Sequence, residues 1–250
     1  MKILALDSSG IPASVALLED NVLKAEYTIN HKKTHSQTLL PMLDEIKNMT
    51  ELELDSVDAI ALTAGPGSFT GLRIGSATAK GIGLALSKPL IAVPTVDAIA
   101  YGMYGTESLI CPIMDARRNQ VYTGVYEFVN AQDKPEGIYV TGDEHGYEFI
   151  VRMPQCAVDI AELCDRLNEI NRPVVMCGDG VPVFKDRLNE LLKVPYTFAP
   201  SHLSLQKAGS VAALGAIMYR KGMTQTAAEH SPEYLRLSQA ERERKEKNGL

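Results

Sequence analysis

The chain has 250 residues, 45% hydrophobic and 22% charged, with a net charge of −6. That is enough to bury one large core or two smaller ones, and it excludes intrinsic disorder. The acidic balance disfavours direct grip on a nucleic-acid backbone unless a partner supplies the positive surface, since no basic run is denser than Lys32-Lys33 or Arg117-Arg118.

Residues 3–7 form an apolar run that ends in Asp7-Ser8-Ser9-Gly10. Runs at 13–18 and 23–29 follow, and Asp20-Asn21 is a turn signal between them, so three strands in an antiparallel meander are expected. Leu39, Leu40, Leu43 and Ile46 give residues 36–47 helical spacing, with a kink or a late start expected at Pro41. Residues 57–63 read as a strand buried on both faces. It runs into the turn Gly65-Pro66-Gly67-Ser68-Phe69-Thr70-Gly71 and then a helix to about 87. A strand at 90–93 and a helix at 95–104 follow, with Thr95 as N-cap.

The second half repeats this order. A strand at 109–115 ends in Asp115, and 120–128 alternates as a strand. Weaker strands are expected at 138–140 and 148–151, a helix at 158–170, and a buried strand at 173–177 that ends in Gly178-Asp179-Gly180. A helix at 182–192, a strand at 196–198 and a final helix at 208–219 complete it. The halves match poorly in sequence, so the repeat is architectural. Two βββαβαβα lobes facing across a cleft make an α/β protein of the actin-like ATPase and sugar-kinase (ASKHA) class; a single doubly wound domain is the alternative. The expected divisions are 1–106, 107–222 (with its last helix free to pack back toward the first lobe) and a tail, 223–250, whose stretch 241–247 alternates in sign like a frayed helix end.

No apolar run approaches the roughly 20 residues of a membrane span. MKILALDSS meets Asp7 too soon for a signal peptide, so a cytoplasmic protein is expected. Cys111, Cys156, Cys164 and Cys177 form no CxxC pair and read as reduced thiols.

Chemistry has few places to sit. Asp7, Ser8 and Ser9 suit either a magnesium-and-phosphate turn or an ordinary turn cap. The Gly65–Gly71 turn lacks the lysine of a phosphate loop and the spacing of a dinucleotide fingerprint. Free N–H groups near Gly67 and Thr70, with Arg73 one turn on, leave room for an anion. A tight turn alone is the alternative. His31 and His35 have metal-ligand spacing but no third ligand nearby, so no metal is assigned. Arg117 either reaches into the cleft or pairs locally. No nucleophile set or carboxylate pair points to catalysis.

Gly71, Gly75, Ala79 and Gly83 recur every four residues as a bare stripe, and Ile74, Thr78, Ile82 and Leu86 make a second, bulky stripe. Gly75, Gly81 and Gly83 together cost roughly 3 kcal/mol of helix propensity. Close approach of another backbone would offset that cost. If the bulky stripe packs on the sheet, the bare one faces a partner chain, and Gly75→Leu would block pairing while leaving the monomer folded. The helix at 36–47 is the alternative cover, or a joint contributor.

Several blocks together are similar to the TsaB family, formerly YeaZ: MKILALDSS (1–9), ASVAL (13–17), HSQTLLP (35–41), GPGSFTGLRIG (65–75), Lys80-Gly81, VPT (93–95), Asp115-Ala116-Arg117 with Val121-Tyr122, and Pro232 with Tyr234-Leu235-Arg236. The resemblance spans nearly the whole chain. It implies the two-lobed fold and a role in making threonylcarbamoyladenosine, the modified base beside the anticodon of tRNAs that read codons beginning with A. It further implies a non-catalytic partner of TsaD, joined by TsaE, that pairs through N-lobe helices and forms self-dimers by a similar face. TsaD carries an HxxxH metal motif in the helix after its fifth strand. Residues 95–105 here contain no histidine, and His31 and His35 lie elsewhere. The expected partner face is His35, Leu39, Leu43, Gly71, Gly75, Ala79 and Gly83. Asp7, Ser8, Ser9, Gly67, Thr70 and Arg73 form a vestigial nucleotide or anion site. No cofactor is expected in the isolated chain, with ATP or ADP left for the joint with TsaD, and tRNA is met only through the complex. An actin-fold phosphotransferase and a glycoprotease-like metallopeptidase are the alternatives.

Overall fold

A computed structural model describes residues 1–31, 33–130, 138–142 and 146–236. The first sheet is built from β1 (Lys2–Asp7), β2 (Ala13–Glu19), β3 (Val22–Ile29), β4 (Ala59–Gly65) and β5 (Leu90–Pro94), in the order β3-β2-β1-β4-β5. The β1–β2–β3 meander is antiparallel, and β4 and β5 add in parallel to β1. Asp20 and Asn21, both at positive φ, make the two-residue hairpin turn that their residue types favour. Helices α1 (His35–Met49) and α2 (Phe69–Leu86) lie between these strands in sequence, and α3 (Thr95–Tyr101) follows β5.

β1 and β4 are continuously apolar because both faces of the sheet are covered. Leu4, Leu6, Val15, Leu17, Ile60 and Leu62 pack against Leu39, Leu43 and Ile46 of α1 and Ala79 of α2. The alternate residues Ile3, Ala5, Ala16, Ala59 and Ala61 pack against Val211, Ala212 and Leu214 of α6 (Ala208–Arg220). Small side chains on that face let α6 lie close: a Cβ on Gly215 would fall 2.9 Å from the Cβ of Ala61.

The second sheet holds β6 (Leu109–Asp115), β7 (Gln120–Asn130), β8 (Ile138–Gly142), β9 (Tyr147–Asp159), β10 (Val174–Cys177) and β11 (Tyr196–Phe198), ordered β11-β10-β6-β7-β9-β8. With the extra edge strand β8 set aside, its order β9-β7-β6-β10-β11 repeats the first. Helices α4 (Ile160–Ile170) and α5 (Val181–Leu191) cover one face of it, and α3 touches the other. This duplicated βββαβαβα plan is the actin-like fold, not a single doubly wound domain.

Several boundaries differ from expectation, among them the helix expected at 95–104, which ends at Tyr101. The helix expected from 158 begins at Ile160, because Val158 pairs with Val121 in β9 and Asp159 is the N-cap, its Oδ1 accepting from Ala161 N at 2.8 Å. The weak strand at 148–151 is part of a thirteen-residue β9. Thr95 is not a cap: Pro94 holds that position, and the Thr95 hydroxyl is buried without a hydrogen-bond partner. α1 starts six residues before Pro41 and continues through it, so the late start does not occur.

After α6 the chain returns as a strap. Gln225 bridges to Leu90, Lys80 Nζ donates to His230 O, Glu233 N donates to Ala64 O, and Arg236 donates to Ala116 O in the second lobe. The stretch 241–247 lies outside the described residues. Among the described residues no helix is long and apolar enough to cross a membrane.

Candidate functional site

The β1–β2 turn sits directly under the start of α2. Ser8 Oγ donates to Gly71 O at 2.9 Å, and Ser9 O accepts from Ser68 N at 2.7 Å. A Cβ on Gly71 would lie 2.0 Å from Ser8 O, one on Gly75 2.2 Å from Ser8 Oγ, and one on Gly67 2.4 Å from Ser9 O. Further along, Gly83 is closed over by Leu90 and Lys88, and Ala79 is fully buried. The bare stripe of α2 is therefore sealed by this chain's own first lobe. Gly71, Gly75, Ala79 and Gly83 are not a free partner face, and Leu39 and Leu43 are core residues. Of the seven expected positions only His35 keeps partial exposure, with its Nε2 3.3 Å from Pro12 O. The physical reason is that the turn after β1 needs a side-chain-free seat. The bulkier Ile74, Thr78, Ile82 and Leu86 take the half-buried flank of the helix instead.

The same contacts occupy part of the donor set an anion would use. Ser68 N serves Ser9 O, Gly71 N is capped by Ser68 Oγ, and Ser9 Oγ and N both donate to Asp7 Oδ1. Arg73 Nε donates to Tyr234 OH at 3.1 Å on the strap, where Tyr234 stacks on Phe69 at 4.3 Å. Asp7, Ser8, Ser9 and Ser68 are thus tied to one another and to the start of α2, with Gly67 packed on Ser9 O, while Thr70 and Arg73 lie exposed at the surface.

Asp7 is 1% exposed, and desolvation raises its carboxyl to about 6 against its hydrogen bonds from Ser9 and Thr63. Its Oδ2 is buried with no partner. Across the lobes, burial also raises the Asp179 carboxyl, which accepts from Gln206 Nε2 at 3.2 Å. A Cβ on Gly10 would strike both Gln206 and Asp179, so the cleft is closed at this point. Two facing carboxylates repel a phosphate that brings no cation with it. Sequence reasoning gave Asp179 and Gln206 no role. The visible signal was an Asp between two glycines after an apolar strand; Gln206 had none.

Two groups elsewhere are spoken for. Arg117 is 86% exposed and pairs locally with Asp115 at 3.2 Å rather than reaching into the cleft. Arg117, Arg118 and Asn119 all have positive φ, which makes the β6–β7 turn unusually tight. On α3, Asp97 accepts from Tyr126 OH at 2.6 Å, and burial raises its carboxyl to about 6. Among the described residues no group of three or more His, Cys, Asp or Glu is placed to hold a metal.

What α1 and α2 leave outside is uncharged over much of its area. Leu84 is 67% and Leu40 56% exposed. Ala77, Gly81 and Ala85 are also exposed on α2, and Gly81 has no heavy atom within 4 Å of where a Cβ would stand.

The family model for TsaD, tRNA N6-adenosine threonylcarbamoyltransferase, matches residues 23–244. The tRNA threonylcarbamoyladenosine biosynthesis protein TsaB of Bacillus subtilis is 31% identical, with 96% of each chain covered. The Escherichia coli protein of that name is also 31% identical, covering 94% of this chain and 95% of its own. The solved structure of YeaZ from Pseudomonas aeruginosa superposes with a TM-score of 0.75 at 25% identity, covering 94% of this chain and 99% of that one.

Proposed function

The chain belongs to the TsaB (YeaZ) family of tRNA threonylcarbamoyladenosine biosynthesis proteins, and from that premise we propose that it acts there as a non-catalytic partner of TsaD. One observation carries this reading. The β1–β2 turn is tied to the start of α2 through Ser8, Ser9 and Ser68, while the outer face of α1 and α2 presents Leu40, Ala77, Gly81 and Leu84 to solvent. Small uncharged residues on a helix exterior suit close packing against another helix, and contiguous apolar surface marks interaction sites. The partner face is therefore this outer one, one helical flank away from the glycine stripe, with His35 at its edge. Self-dimers use the same face when TsaD is absent.

TsaD supplies the transfer chemistry, since α3 of this chain carries no histidine. ATP or ADP at the joint is held by the partner's groups. TsaE joins the pair in the cytoplasm, and tRNA is met through the complex, in keeping with the net charge of −6.

Leu84→Asp tests this. Sedimentation of the variant with TsaD should show pairing weakened at least about tenfold, with an unchanged unfolding curve for the isolated chain. The threonylcarbamoyl-transfer rate of the mixture should fall in parallel. Unchanged pairing would refute the face. Turnover by this chain without TsaD, or calorimetric ATP–magnesium binding by the isolated chain, would favour the phosphotransferase instead.

A further inference from the structure

The chain crosses between its lobes twice, at 102–108 after α3 and at 199–207 before α6, and both crossings border one cavity of about 280 Å³. That is close to the small end of the roughly 300–1,000 Å³ usual for ligand pockets. Its walls are mostly apolar, with Leu23 of β3, Ile99 of α3, and Leu203 and Leu205 of the second crossing. Glu26, Lys207 and Ser210, two residues of opposite charge and one hydroxyl residue, also line it.

Glu26 Oε1 is held by Gly209 N at 2.7 Å, which fixes the carboxylate at the rim. Its second oxygen has no hydrogen bond among the described residues. Lys207 is half-buried, and neither its ammonium nor the Ser210 hydroxyl has a hydrogen bond or ion pair among the described residues. Lys207 and Glu26 line the same cavity without forming an ion pair. Gly102 keeps the first crossing against α6, since a Cβ there would lie 2.8 Å from Ser210 Oγ.

We infer that this hinge cavity binds a small zwitterion with an apolar body, of the class of a free apolar α-amino acid. Lys207 and Ser210 receive its carboxylate, the open oxygen of Glu26 receives its ammonium, and the leucine and isoleucine walls receive its side chain. The ligand's carboxylate would give Lys207 a counter-charge and its ammonium would pair the Glu26 oxygen that Gly209 N leaves open, which is the complementarity a half-buried ion requires. A bound molecule would touch both crossings at once and so favour one setting of the lobes. The elements used are separate from the α1–α2 face, so this inference stands or falls independently of pairing with TsaD.

Isothermal titration calorimetry of the full chain tests it, with L-leucine, 4-methylpentanoate (no ammonium) and 3-methylbutylamine (no carboxylate) as probes. Leucine should bind saturably at one site, and each single-charge analogue at least about tenfold more weakly. Lys207→Met should weaken leucine about tenfold or more while the unfolding curve stays in place, and Ala213→Phe, which fills the cavity, should abolish the signal. No saturable heat with leucine, equal binding of the analogues, or a Lys207→Met variant that binds like the wild type would each overturn the inference.

Discussion

Replacing Gly75 with alanine should destabilise the isolated chain, and removing the Ser8 hydroxyl as well should restore it. The new Cβ would stand 2.2 Å from Ser8 Oγ but 3.5 Å from Ser8 Cβ, so the clash is with the hydroxyl alone. To relieve it, Ser8 must rotate and lose its 2.9 Å bond to Gly71 O inside a buried site. A buried hydroxyl left without a partner costs about 1–3 kcal/mol, and the Gly→Ala change returns about 1 kcal/mol of helix propensity. The single variant should therefore lose up to about 2 kcal/mol. In Ser8→Ala/Gly75→Ala the hydroxyl is gone and the methyl meets an ordinary contact. Its balance is about −1 kcal/mol for the lost hydrogen bond and about +1 kcal/mol for propensity, close to zero. Urea unfolding of the four proteins gives the coupling energy, expected at about 1–3 kcal/mol in favour of the double variant. Simple additivity, or a Gly75→Ala chain more stable than wild type, would mean that the glycine stripe does not seat the β1–β2 turn. Gly75→Leu, which sequence reasoning offered as a selective probe of pairing, should instead damage the monomer.

Other expectations follow from single sites. Gly81→Ala, with open space around it, should stabilise the isolated chain by about 1 kcal/mol and raise its melting temperature by roughly 2–4 °C; a loss would show that the position is already covered. Gly65 has φ +129 and its Cβ would fall 2.1 Å from Glu233 O, so Gly65→Ala should lift the strap and speed tryptic cleavage at Arg236 and exchange of the Glu233 amide. Unchanged protection of both would refute the strap. Asp7 sits at about 6, above its ordinary 3.8, so between those values the folded chain binds more protons than the unfolded one. Its stabilising contribution is full below about 3.8 and fades as pH rises through 6. The stability of Asp7→Asn relative to wild type should therefore improve from pH 4 to pH 7, and a difference independent of pH would refute the assignment.

The amino-acid sequence by itself determined the order of elements in both lobes, because apolar runs of strand length alternate with helical spacing and turn residues such as Asp20-Asn21 mark the joints. It also determined that α2 carries a bare stripe and a bulky one. Which stripe turns inward was decided only by tertiary structure. The rule that bulk goes to the core fails where a neighbouring turn, here Ser8-Ser9, must approach a helix backbone closely. The same limit explains Thr95, Asp159 and Asp179. Their residue types suit caps and turns anywhere, and only strand pairing and the meeting of the two lobes fix which groups they serve. The hinge cavity belongs to this second kind. Glu26 and Lys207 are far apart in the chain, and nothing in the spacing of either predicts the other until α6 folds back across the first sheet.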